Sequence, residues 1–519
     1  MVMNPTLDEL TRRFRDGNRE QAIAGCEAWC LSHPDDRQAR RLCAKMHALT
    51  RSYPRALKLF RELRDPQRED AEILFNIGLC EKELAQYSAA AETFGVYTAK
   101  FANDAGGWAN LAECRFEIGD FEAGQGSARR AIAIDATFAR ELAESRAARG
   151  DALQNEGRAA DAVAHYKAAL ALAPDHAAAL KNATLCLLEL DRAPEGIALC
   201  REVMKADPGN LTARLGAEWL LGQIVPLWHV PMMNEHERNE AFHKGLQSAS
   251  PGKTVFEIGT GSGLLAMMAA RSGANHVYTC EAVPLVADTA TRIVARNGYA
   301  DRITVLSKPS HAVQVGADLP TRADVLVHEV FSSELLGEHV LAAIEDAKAR
   351  LLKPGGRVLP CAASIMIALV GGDDIARNVH VGESFGFDLS EFNAIRPRKR
   401  PLQREDLSPV LLSADVEAFR FDFMKRDTFP AERRRIEIAA TQPGPCYGLI
   451  QWIRIEMGEG VSFENHPARP RAVSNWQHTI YSFDAPIELR AGTVLTVDAW
   501  HDRSKPWFEL APGTSYTHA

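Results

Sequence analysis

Glu329 and Glu338 stand nine residues apart, and Gly337 lets the chain turn just before the second. Two carboxylates meeting in one pocket repel each other unless a cation joins them. A guanidinium suits the pair, because it is planar, offers forked donors and stays protonated at any physiological pH. Arginine is the matching substrate. Holding its charge toward the carboxylates leaves one terminal nitrogen better able to attack an electrophile placed beside it. Glutamates so spaced also cap helices or face water, and the surroundings decide between the two readings. Upstream stand Glu257, Gly259, Gly261 and Gly263. The glycines allow a tight turn and close approach of backbone to a ligand, and the helix behind them presents unsatisfied amides. Glu257 occupies a position where dinucleotide-binding turns usually carry an apolar residue, which favours a ligand bearing positive charge. Glu281, 22 residues beyond Gly259, can accept both hydroxyls of a ribose.

Only a sheet can bring such distant residues to one edge. From Lys253 the chain alternates apolar strands (TVFEIG, HVYTCE, ITVLS, ADVLVHE) with helical runs as far as the Lys353-Pro354-Gly355-Gly356 turn, which predicts a mostly parallel α/β sheet with its ligand at the carboxyl edge. Acid, glycine turn, second acid and late Lys-Pro-Gly-Gly turn together resemble class I S-adenosylmethionine-dependent methyltransferases. The stretch from Glu329 to Glu338 resembles the double-glutamate loop of the protein arginine methyltransferases. Trp228 to Arg238 is similar to that family's amino-terminal helix, which implies that Met232 lines the active site and Arg238 binds the cofactor carboxylate. Gly386 to Asn393, and Ser474 to Thr479 with Trp476 beside the substrate pocket, extend the likeness over about residues 225 to 519.

The resemblance implies S-adenosylmethionine as cofactor, with Gly259, Gly261, Gly263, Glu281 and Arg238 holding it and Glu257 shaping its pocket. It implies Glu329 and Glu338 as the arginine clamp, and no metal. Two departures stand out. Asn475 and Glu235 occupy positions where the family commonly pairs His with Asp, and an Asn cannot hold a proton as an imidazole does. Ser310-His311 replaces the adenine-side acid of many members, as in the more divergent branches. Repeats ahead of the catalytic module are similar to one of those branches, whose members often carry two modules where this chain has one.

The first 210 residues repeat. Units begin near positions 3, 37, 71, 105, 143 and 177, with one four-residue irregularity placed near Glu141. A small residue recurs at Ala22, Ala56, Ala90, Gly124, Ala162 and Gly196. A mostly apolar one follows four later at Cys26, Phe60, Phe94, Ala128, Tyr166 and Cys200. This is the tetratricopeptide pattern. It predicts six antiparallel helix pairs with a groove for a protein or peptide, or else a spacer or dimerisation arm. The expected architecture is an all-α solenoid over 1–215, a Rossmann-like domain over 216–361 and a β-barrel over 362–519. A β domain is read from the short strands SIMIALV, FRFDF, RRIEIAA, LIQWIRIEM, HTIYSF and TVLTVDAW, and the resemblance implies that it is a barrel.

Length and composition agree with that plan. At roughly 150 residues per domain, 519 residues make about three folding units. A 46% apolar, 25% charged chain is ordinarily globular. Its net charge of -8 argues against a surface built to neutralise nucleic-acid phosphates, so no direct nucleic-acid binding is expected. Ten cysteines, with no C-x-x-C pair and no compact Cys/His set in sequence, suggest reduced thiols in the cytoplasm. No run reads as a signal peptide or a membrane span. The basic run Arg396 to Arg400 is either a solvated loop or part of the family's dimerisation arm, placed near 390–412. With one module present, a homodimer is expected. The rival readings are a methyltransferase for another side chain or a small amine, and an inactive cofactor-binding scaffold on repeats.

Overall fold

The computed structural model describes residues 6–337, 339–402, 408–469 and 474–513. Two compact units divide the chain between Ile224 and Val225.

The first unit is a helical solenoid. Helices start at Arg37, Ala71 and Ala105, 34 residues apart, and each is preceded by an aspartate. Asp36, Asp70 and Asp104 each accept from backbone N–H groups of the following turn, so a repeated N-cap sets a repeated start. Within every pair the first helix ends on a left-handed residue: Gly17, Arg51, Ala85, Gly119, Gly157 and Asp191. The next residue donates five back, as Ser52 N does to His47 O at 2.8 Å, and this closes the helix and turns the chain into its partner. Three of the six are not glycine, at a cost of about 1 kcal/mol each.

All four alanines of the small-residue position are fully buried. At Gly124 a Cβ would sit 2.6 Å from the Phe116 ring, which is why a glycine stands there. The four-residue irregularity is absorbed as roughly one extra turn, making Phe138–Asn155 the longest helix of the set at 18 residues. A further helix, Leu211–Ile224, carries the solenoid past the expected edge at 215.

The second unit opens with the short helix His229–Met233 and the helix His236–Ala249. Five parallel strands follow: β1 (Thr254–Ile258), β2 (His276–Cys280), β3 (Ile303–Leu306), β4 (Ala323–His328) and β5 (Leu352–Leu359), in the order β3-β2-β1-β4-β5. Strand order reverses between β1 and β4, where α/β sheets open a crevice at their carboxyl ends.

The six anticipated strands beyond Pro360 are all present, in antiparallel sheets of seven and three strands, with no closed ladder among the described residues. One apolar core runs from Ala241 through Phe256, Ile344 and Phe419 to Phe508. Parallel and antiparallel sheets thus share part of their core across the expected boundary at 361, while Met366, Ala368, Trp452 and Ile480 belong to a further cluster in the antiparallel part. The basic run is not a solvated loop either. Arg396 donates to Phe483 O at 2.6 Å, Lys399 pairs with Glu334 at 2.7 Å, Arg398 pairs with Asp484 and Arg400 donates to Asn378 O.

Candidate functional site

Register brings the first pieces together. Ile258 lies opposite His328, so the next residues out, Gly259 and Glu329, leave the sheet side by side. Gly259, Gly261 and Gly263 all have positive φ, at 79°, 52° and 81°. Gly259 and Gly263 are also crowded, since an added Cβ would meet Val330 or Val294 at 3.1 Å, whereas the face over Gly261 is open. Glu281, half-buried at the end of β2, accepts from Gly261 N at 3.1 Å and from Val283 N at 3.0 Å. It clamps the glycine turn to the following helix and keeps further lone pairs for hydroxyls. Beneath the turn Thr260 and Thr279 share a buried hydrogen bond of 2.6 Å.

Glu257 is buried with its Oε2 unpartnered. Burial, with the Glu281 and Glu329 charges adding to it, pushes its carboxyl up to about 8. Ser310 and His311 lie on a short turn after β3, held by Arg350 through Ser310 O at 3.1 Å. β3 itself lies two strand spacings from β1, about 10 Å.

Glu329 is nine-tenths buried and faces the Arg238 guanidinium at 3.0 Å. Two residues expected to serve different ligands thus meet each other. Arg238 donates through Nη2 to Asn239 Oδ1 at 2.9 Å and lies 5.8 Å from the Phe242 ring centroid, while its buried Nε lacks a hydrogen-bond partner. Glu338 lies outside the described residues. The chain leading to it folds back tightly: Ser332 Oγ accepts from Glu334 N and Gly337 N, and Leu335 turns at φ 72°. A Cβ on Gly337 would strike Ser332 Cβ at 2.5 Å, so glycine is required for that return.

The segment 474–477 is pinned from both sides. Asn475 N donates to Glu235 Oε2 at 3.0 Å, so the pair that departs from the family's His and Asp survives as a backbone contact. Trp476, buried, donates to Phe331 O at 3.2 Å, and Gln477 N to Ser333 Oγ at 2.9 Å. Buried Asn465 adds a tie that sequence reading missed, donating to Trp476 O at 2.7 Å. Met232 lies half-buried on the helix leading to Glu235. Beside the loop, Glu334, Lys399, Trp500, Lys505 and Trp507 line a surface cavity of about 590 Å³.

A family model for ribosomal protein L11 methyltransferase matches residues 243–361, and a tetratricopeptide-repeat model matches 147–210. An "Arginine N(omega)-methyltransferase" of Streptomyces achromogenes subsp. streptozoticus is 38% identical over 281 residues, covering 54% of this chain and 77% of that protein. The chain belongs to the arginine N-methyltransferase family. A "Protein arginine N-methyltransferase 7" of Aedes aegypti is 30% identical over 54% of this chain and 48% of its own length, so this arginine N-methyltransferase spans about half of such relatives. Among solved structures, a Trypanosoma brucei PRMT1 enzyme–prozyme complex with AdoHcy aligns over 56% of this chain and 95% of its own, at 20% identity and a TM-score of 0.46.

The cofactor of this arginine N-methyltransferase is S-adenosylmethionine, and the chain is a methyl-transferring enzyme. Its residues fit that molecule. An open glycine turn, a buried Arg238 Nε without a partner and a buried Glu257 Oε2 without a partner suit a ligand carrying both an anionic and a cationic group.

Proposed function

We propose that this chain is a protein-arginine N-methyltransferase whose repeats recruit or orient a polypeptide substrate. One observation carries the reading: at the strand-order reversal, beside the glycine turn, a buried glutamate already faces a guanidinium, that of Arg238, at 3.0 Å. Glu329, with Glu338 as its partner, fixes the substrate guanidinium and draws its charge away from the reacting nitrogen. S-adenosylmethionine supplies an electrophilic methyl group. Gly259, Gly261, Gly263 and Glu281 hold its nucleoside side, Arg238 its carboxylate and Glu257 its positively charged side; Ser310 and His311 lie toward the base. Trp476, Met232 and Asn475 shape the approach of the arginine. Asn475 moves no proton, and loss of the guanidinium proton needs no imidazole once the nitrogen is alkylated.

The repeats and the cavity flanking Glu334 favour a polypeptide over a free amino acid. A second reading rests on the Streptomyces relative, whose printed name specifies arginine without protein. Full-length enzyme with labelled cofactor should label arginine-rich polypeptides and leave free arginine unlabelled. The opposite pattern overturns the polypeptide assignment. No label on either returns the scaffold reading.

A homodimer is supported by Phe385, Phe387, Leu389, Phe392 and Ile395, five exposed large apolar residues within eleven positions. Light scattering of a monomer at working concentration would contradict it. Ten free cysteines accord with a cytoplasmic setting.

A further inference from the structure

Cysteines that look scattered in the sequence do not all stay apart. Cys26 and Cys30 lie one turn apart on the helix Arg19–Ser32, and Cys43 faces them from the helix Arg37–Leu49. Their three Sγ atoms lie within 4.8 Å of one another, the one such group of three ligand residues among the described residues. The repeat supplies its own control. One period on, the same three positions carry Phe60, Arg64 and Ile77, and two periods on Phe94, Thr98 and Leu111. Each of those interfaces packs with a single buried cysteine at another position, Cys80 or Cys114, so packing does not call for three cysteines here.

Cys26 and Cys43 are closed to solvent in a core with Leu10, Ala22 and Met46, while Cys30 is half-buried at its edge. We propose that Cys26, Cys30 and Cys43 form a trithiol site for a soft, trivalent, pyramidal ion of the arsenous acid class. The charge balance selects that class. The charged groups acting on the thiols are Glu27, Asp36 and Arg40, which offer no surplus of positive charge. Three thiolates around a monovalent or divalent ion would leave two or one negative charges in an apolar pocket, whereas a trivalent ion leaves none.

The exchange is balanced without any redox partner. Three As–O bonds of As(OH)₃ break and three As–S bonds form. The three thiol protons leave with the three hydroxyls as water, and arsenic stays trivalent.

Arsenite added to the reduced full-length chain should bind at one equivalent. Nondenaturing mass spectrometry should then read a gain of one arsenic less three hydrogens, and the melting temperature should rise with arsenite concentration. Cys30→Ser, a near-isosteric change at the edge of the core, should keep the circular dichroism spectrum. It should weaken binding by roughly 100-fold or more, since losing a sulfur ligand costs more than the 10–100-fold of an outer-shell partner. Equal arsenite binding by Cys30→Ser and the parent chain overturns the site. So does one equivalent of zinc or cadmium bound where arsenite is not, or preferential loss of two hydrogens to a disulfide between these residues.

Discussion

The two halves of the candidate site are built differently. The cofactor half is local: one glycine turn, the strand ends on either side of it and a carboxylate 20 residues from its backbone donor. The guanidinium half is assembled across the chain. Asn475 reaches Glu235 over 240 residues, Trp476 reaches Phe331 over 145 and Lys399 reaches Glu334 over 65. A local half should fail when one backbone position is filled. An assembled half should fail by loss of its central charge and degrade by degrees when a single tie is cut.

The sharpest break is Glu329→Gln. It should lower kcat/KM by about 10³ while cofactor binding is retained, as expected when a preorganised charge contact to the reacting group is lost. It also leaves Arg238 buried and uncompensated, so stability should drop by about 3–5 kcal/mol in denaturant titration. Gly263→Val attacks the other half. A β-branched residue at φ 81°, with Val294 3.1 Å from its Cβ, should abolish cofactor binding by calorimetry, and residual activity at saturating cofactor would show the turn to be dispensable.

Trp476→Phe keeps an aromatic ring but loses the N–H to Phe331 O. A fall in kcat/KM of about tenfold, with a cost near 1 kcal/mol in stability, is expected of one removed hydrogen bond; a loss as deep as that of Glu329→Gln would erase the distinction between centre and tie.

pH sharpens the comparison further. The carboxyl of Glu257 is raised in the folded chain to about 8 from an ordinary value near 4.5. The folded state therefore holds a proton that the unfolded state has lost, and the group's contribution to stability is complete below about pH 4.5 and declines as pH rises toward 8. Glu257→Gln should flatten that decline in thermal melts of the free enzyme. Cofactor binding near pH 7 should release a proton from the parent chain and none from the variant, seen as a buffer-dependent binding enthalpy.

The smallest effect belongs to the repeats. Asp104→Ala removes an N-cap and should cost about 1 kcal/mol with turnover of a short peptide unchanged.

Much of the fold could be read beforehand where a rule acts over a few residues. The 34-residue period and the six later strands all stand where the pattern put them, since helix pairing and strand alternation depend on near neighbours. The left-handed turns were half legible: Gly17, Gly119 and Gly157 signal them, but Arg51, Ala85 and Asp191 do not, because the hydrogen-bonded frame of the repeat imposes the conformation on them. The irregularity near Glu141 was legible as a length and not as an added turn. Likewise Arg396 to Arg400 reads as a charge run, and the acceptors that anchor it come from residues 334, 378 and 483–484.

For this protein the order of residues alone determined the repeat, the glycine turn and the identity of the acids, because backbone freedom, periodicity and charge are properties of residue type and spacing. Only the tertiary structure decided that Arg238 meets Glu329, that two expected domains share part of their core and that three separated thiols converge. Those outcomes depend on which side chains share a volume, and a linear chain does not specify that until its sheets and helices pack.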